Sequence, residues 1–130
     1  MPKPTIIYKD IDISLLANPI TSDVLQKTGA SAVIQSLSNL VQYGHYEKFF
    51  HPEIGANIRQ LLFELPDSNI AGLIEKEIRN VINNFEPRVN LLAVAVESDQ
   101  VNDGYNITIE FTVTSIPNPI QISSFLARVR

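Results

Sequence analysis

The sequence predicts a small α+β domain, with about three helices followed by a mainly antiparallel sheet of about three strands. Three observations predict it. Between residues 31 and 85 apolar side chains recur at three- and four-residue spacing, the period of a helix with one buried face. From residue 92 the period drops to two, as a strand requires. Between them stands Phe85-Glu86-Pro87-Arg88-Val89, two opposite charges flanking a proline at the corner where one period gives way to the other. With 130 residues, 45% of them hydrophobic and 18% charged, the chain has the length and composition of one domain (1–130) with its own core.

The first 30 residues are the least regular. Ile6-Ile7-Tyr8 reads as a short strand, Asp10-Ile11-Asp12-Ile13 alternates, and Asn18-Pro19 reads as a turn. Residues 1–20 are expected to be an arm, flexible or ordered by a partner. A helix is expected after Gly29, with Ser31 as its N-cap, an apolar face of Val33, Ile34, Leu37, Leu40 and Val41, and Gly44 as its stop. Residues 46–50 read as extended, and His51-Pro52 argues against helix there. A short second helix is expected over residues 56–63, with Ile58, Leu61 and Leu62 on one face and Pro66 beyond its end. The third helix is the clearest, capped by Asp67 or Ser68, with the stripe Ile70, Leu73, Ile74, Ile78, Val81, Ile82 and Phe85. Leu61, Leu62 and Phe63 are its natural core partners.

Past the corner, Leu92, Val94 and Val96 alternate with Ala93, Ala95 and Glu97, predicting a strand. A polar loop then closes on Asp103-Gly104, a hairpin signal. Ile107, Ile109, Phe111 and Val113 alternate with Thr108, Glu110, Thr112 and Thr114, the pattern of a strand with one wet face. Pro117 and Pro119 predict a turn, and residues 120–129 a last strand. There Ile122, Ser124, Leu126 and Arg128 share one face, and Ser123, Phe125, Ala127 and Val129 the other. Apolar residues on both faces are more than a free edge normally carries, which points to a partner.

Composition excludes several functions. A net charge of −4 is wrong for a phosphate-binding surface, so no nucleic acid is expected. No stretch approaches the roughly 18 apolar residues of a membrane span, so no membrane partner is expected. Met1-Pro2-Lys3-Pro4-Thr5 has no apolar leader core, and the expectation is a soluble protein that is intracellular or assembled inside a cell. There is no cysteine, hence no disulfide or thiolate chemistry. His45 and His51 lack metal-ligand spacing and read as loop or surface residues. Glu86 could pair with Glu64 or Glu110 for glycoside hydrolysis, but Arg88 would hold Glu86 ionised, the wrong state for a general acid. No nucleophile elbow or phosphate loop is present. No cofactor is expected. Alone, Glu86-Pro87-Arg88 reads as a helix stop with a local ion pair.

Four motifs in order change that reading. Ser36-Leu37-Ser38-Asn39-Leu40, Phe49-Phe50-His51-Pro52-Glu53-Ile54-Gly55, Leu61-Leu62-Phe63-Glu64 and Glu86-Pro87-Arg88 together resemble the baseplate wedge, or sheath-initiator, family of phage tails, type VI secretion and other contractile injection systems. The likeness spans roughly residues 20–115. Tyr43-Gly44-His45-Tyr46-Glu47 departs from the family's Lys/Arg-Gly-Glu pattern. The resemblance implies a sheet like the strand-exchanging part of a sheath subunit and a non-enzymatic structural protein. Glu86, Pro87 and Arg88 would bind the helical core bundle of the wedge proteins. The strands bearing Ile107, Ile109, Phe111, Ile122, Phe125 and Leu126 would pair with the first sheath ring, and tube-initiator or hub proteins are further partners. Localisation follows as the baseplate of a virion assembled in the host cytoplasm, or the bacterial cytoplasm for a secretion system. Some members carry a lysozyme-like label, so the alternatives are a peptidoglycan hydrolase or an unrelated interaction domain.

Overall fold

The computed structural model describes residues 7–44, 46–114 and 116–129. The elements are β1 (Lys9–Ile11), β2 (Gln26–Thr28), α1 (Ala30–Gln42), α2 (Ile58–Leu61), α3 (Ser68–Phe85), β3 (Val89–Asp99), β4 (Gly104–Val113) and β5 (Ile116–Ala127). β1 and β2 make an antiparallel ribbon, and β3-β4-β5 make an antiparallel sheet in that order. The predicted α+β class is the observed one. The short strand expected at Ile6-Ile7-Tyr8 is not seen at Ile7 and Tyr8 (Ile6 lies outside the described residues); β1 instead falls at Lys9–Ile11, within the alternating stretch, and its pairing with β2 was not expected.

α3 forms where the stripe is strongest. The Asp67 side chain accepts the Ser68 N–H at 2.7 Å at its start, and Ala71, Ile74, Ile78, Val81 and Ile82 are buried along it. Each large side chain buried there contributes about 1.5–3 kcal/mol, so packing holds the helix against the sheet. Leu73 is half exposed and Phe63 lies outside the core, whereas Leu62 is inside it. The expected Glu75–Arg79 pair forms at 3.1 Å on the exposed side.

α1 starts two residues earlier than its serine suggested. Gly29, not Ser31, is the N-cap, with φ 61° and no side-chain cap. β2 runs straight into the helix while the Gly29 N–H bonds the Tyr8 carbonyl at 2.7 Å, and that abrupt turn needs the left-handed backbone glycine tolerates. α1 ends before Gly44, with Tyr43 already extended. Residues 46–50 are turns rather than extended chain, with Tyr46 and Phe50 at positive φ. His45 lies outside the described residues, and His51 pairs with Glu53 at 3.2 Å. α2 is one turn, shorter than expected.

β4 follows its predicted alternation: Ile107, Ile109, Phe111 and Val113 are buried against the helices. β3 follows its own from Ala93 on, with Val94 and Val96 inward and Ala93, Ala95 and Glu97 exposed, but departs from it at Leu92. The register skips from Leu91↔Phe111 to Ala93↔Glu110, so Leu92 bulges out, 52% exposed, and Leu91 takes the inward place. The turn predicted at Pro117 and Pro119 comes earlier, after β4, and β5 runs through both prolines. An edge strand tolerates proline because its outward N–H has no ladder partner to lose. Ile120, Ile122 and Leu126 pack on the core, and Phe125 lies on the outer face.

Candidate functional site: a pinned corner and an open strand edge

Glu86 is the C-cap of α3, and its backbone N–H still bonds Ile82 at 3.0 Å. Pro87 then prevents another helical turn, and the chain re-enters order as β3. That stop folds the Arg88 side chain back on Glu86. Arg88 Nε donates to Oε1 at 2.7 Å and Nη2 to Oε2 at 2.9 Å, a two-pronged pair. From α1, the Ser36 hydroxyl donates to the same Oε2 at 2.6 Å. The Arg88 guanidinium also lies 5.3 Å from the centre of the Tyr8 ring, within cation–π range. Glu86 is 3% exposed and Arg88 30%.

Electrostatics fix the protonation. Burial pushes the Glu86 carboxyl up, but the Arg88 and Ser36 hydrogen bonds and the Arg88 charge together hold it below its ordinary value. The Arg88 guanidinium is raised in turn by Glu86. The corner is an ionised, internally paired knot binding α1, α3, the start of β3 and the N-terminal ribbon. Pro87 is exposed, and Arg88 Nη1 makes no hydrogen bond among the described residues. The sequence left open whether Glu86 and Arg88 pair with each other or with a partner; they pair with each other, and Glu86, expected to bind a partner directly, is buried with both oxygens occupied. The roles of Ser36 and Tyr8 were not legible, although a serine on the apolar side of a helix was the available signal for the first.

The second feature is the edge of the sheet. β4 is central and paired on both sides, so Ile107, Ile109 and Phe111 hold the core and face no open edge. β5 is different. Arg128 N–H bonds the Asp103 carbonyl at 2.9 Å across the hairpin. By the antiparallel alternation, even-numbered residues of β5 turn their backbone groups to β4 and odd-numbered ones turn them outward. Gln121, Ser123, Phe125 and Ala127 thus present N–H and C=O groups on the open edge, with no partner for them among the described residues. The edge is closed at both ends. Pro119 has no N–H to offer, and the Val129 N–H is taken by the Leu62 carbonyl at 2.9 Å. The opposite edge, on β3, is broken by the Leu92 bulge, and Arg79 reaches its Val94 carbonyl at 3.5 Å. Bulges and charged side chains of this kind deter pairing. One edge is guarded and the other left open.

The family profile described as baseplate wedge protein gp25 matches residues 27–118. Baseplate wedge protein gp25 of Enterobacteria phage T4 is 30% identical over 116 residues, covering 89% of this chain and 86% of that protein. Among solved structures, a Geobacter sulfurreducens protein named as a candidate tail lysozyme shares the fold at TM-score 0.69 and 22% identity, over 75% of this chain and 89% of the other. A chain of the anti-feeding prophage baseplate aligns at TM-score 0.65 and 18% identity, over 95% and 88%. A chain of the postcontracted pyocin R2 baseplate aligns at 0.55 and 16%, over 92% and 100%. At those identities the structures speak for the fold alone. The profile and the phage relative go further, and by them this chain belongs to the baseplate wedge protein gp25 family of contractile tail systems.

Proposed function

We propose that the chain is a non-enzymatic structural component of a contractile-tail baseplate that starts the sheath by accepting a strand on β5. The observation that carries this reading is the open run of backbone groups from Gln121 to Ala127, bounded by Pro119 and the Val129–Leu62 bond. A strand added there gains main-chain hydrogen bonds, and the closed ends fix its register. Phe125, 42% exposed on the outer face, offers a contact beside it. The partner is the first ring of sheath protein. The Glu86-Pro87-Arg88 corner docks on the helical core bundle of the wedge proteins, through exposed Pro87 and the open side of Arg88, while Glu86 holds the arginine from behind. Tube-initiator and hub proteins complete the surroundings, and the localisation is the baseplate of the assembled particle.

A hydrolase role finds no support at the corner. Glu86 is the only buried carboxylate among the described residues, and it is held ionised with both oxygens occupied. A general acid needs a raised pKa and a free oxygen. A cell-wall degradation assay separates the readings: turnover that disappears in Glu86→Gln would favour the enzyme.

Strand pairing is tested by Ser123→Pro. It removes an outward N–H and leaves the ladder to β4 intact, so the isolated domain should fold. Particles carrying it should have baseplates without extended sheath, while Ser123→Thr, which keeps the N–H, should give normal tails. Full-length sheath on Ser123→Pro particles would overturn the pairing role.

A further inference from the structure

The inward face of the sheet is unfinished on its open side. On β4, Tyr105, Ile107 and Ile109 are no more than 4% exposed. Opposite them on β5 stand Leu126, Ser124 and Ile122. Ile122 and Leu126 are only half-buried, and Ser124 is exposed. The two strands differ in their neighbours: β4 has a strand on each side, and β5 has one among the described residues.

A groove runs between this face and α1. Leu37 and Val41 from α1, Ile107 and Ile109 from β4, and Ile122 and Leu126 from β5 wall a hollow of about 30 Å³. Ser124 also borders it, and its small side chain between Ile122 and Leu126 leaves the notch. Val41, Gln42 and Leu126 line a second hollow of about 220 Å³ as well, bounded by Ile58, Leu62 and Val129. The two therefore adjoin along the inward side of β5. Their polar groups are few. Ser38, Gln42 and Ser124 are uncharged, and Arg59, on the larger hollow, lies 3.8 Å from Glu47.

The edge says what covers the groove, an inference that rests on strand addition at β5. A strand added there lies about 4.8 Å from β5. Its side chains opposite Ile122, Ser124 and Leu126 must then point to the α1 side, over the groove. The notch has about twice the room a water needs, which suits the branched end of a valine or isoleucine. A charged or amide side chain would lose its water there without gaining a partner among the apolar walls. The Val129–Leu62 bond ends the open edge beside the larger hollow. We propose that this groove selects the incoming sheath strand by its side chains. It takes aliphatic residues at alternate positions, a short branched one seated over Ser124 and a longer one opposite Leu126.

Filling the notch from within tests this. Ser124→Ala and Ser124→Trp change an exposed side chain, leave every backbone group of β5 in place, and should melt as wild type does. In assembled particles, extended sheath should be at least tenfold rarer with Ser124→Trp than with Ser124→Ala. Frequencies within twofold of each other would overturn the proposal. A second measurement does not depend on the bulky variant. Ser124→Cys is close to serine in size and gives the chain its single thiol. In particles with sheath it should react with N-ethylmaleimide at least a hundredfold more slowly than in the free chain, and equal rates would overturn the seating. Ser123→Pro separates this proposal from the one beneath it. Full-length sheath on Ser123→Pro particles refutes strand addition itself. Sheath lost in Ser123→Pro but kept in Ser124→Trp refutes the groove alone.

Discussion

Removing either partner of the corner pair should destabilise the domain, and the two removals should differ in a predictable order. Glu86 is 3% exposed and Arg88 30%. In Arg88→Ala the carboxylate stays buried with only the Ser36 hydroxyl at 2.6 Å to satisfy it. In Glu86→Ala the guanidinium can swing to water. Breaking a buried pair costs about 3–5 kcal/mol; Arg88→Ala belongs near the top of that range and Glu86→Ala near the bottom. Arg88→Ala also loses the contact with Tyr8, worth about 0.5–1 kcal/mol at a partly exposed position. Domains of this kind have about 5–15 kcal/mol to lose, so both variants should still fold. Urea unfolding at pH 7, with the slopes compared to confirm that the unfolded state is unchanged, measures each cost. If Glu86→Ala were the costlier variant, or both cost under about 1 kcal/mol as exposed pairs do, the corner would not be the buried ionic knot described above.

Acid should loosen the same knot. The folded Glu86 carboxyl lies below its ordinary value of 4.5, so the unfolded chain takes up the proton first as pH falls. The pair's contribution is complete above that value and is lost as pH drops below it toward the folded pKa. Stability of Glu86→Gln should therefore fall less steeply below pH 4.5 than that of wild type, read from unfolding midpoints across pH. Gly104→Ala should destabilise by about 1–3 kcal/mol, the cost of overpacking. Its Cβ would stand 2.4 Å from the Leu126 carbonyl oxygen and 2.5 Å from the Phe125 ring that covers the glycine. Thermal melts report the loss, and Phe125→Ala/Gly104→Ala should recover only the part due to the ring. Gln35→Leu removes the amide that donates to the Ile11 carbonyl at 2.8 Å and accepts the Ile13 N–H at 3.3 Å; it should leave the helical core intact but free the ribbon, with proteolysis appearing first within residues 9–28.

What could be read from the sequence follows from where the determining interactions lie. α3 and β4 depend on periodicity within one element, and both came out as their side chains predicted except at Leu73, which is half exposed. The β1–β2 ribbon did not, because each strand has three residues and they pair across an intervening loop, Lys9 with Thr28. No local period records such a pairing. Leu92 misled because a bulge shifts every later residue by one, and apolar side chains on both sides of the shift hide it. Pro117 and Pro119 read as a turn because the edge position that excuses them is a property of the whole sheet. Glu86 and Arg88 are two residues apart, a spacing that allowed a local pair but did not choose between that and a partner; the burial of Glu86 that decides it is tertiary. Ser36, fifty positions from Glu86, and Tyr8 were brought to the corner by tertiary packing alone. The open edge was anticipated from apolar residues on both faces of the last strand. That this edge belongs to β5 and is framed by Pro119 and Leu62 required the topology.

The central claim is that β5 receives a strand along Gln121, Ser123, Phe125 and Ala127. Amide hydrogen exchange of the chain alone and within assembled particles tests it most directly. In the isolated chain these four amides should exchange rapidly while Ile120, Ile122, Ser124 and Leu126, facing β4, are protected. In particles with sheath attached, the four outward amides should slow by at least a hundredfold. Unchanged exchange at those four positions would contradict the account, whatever the particles look like.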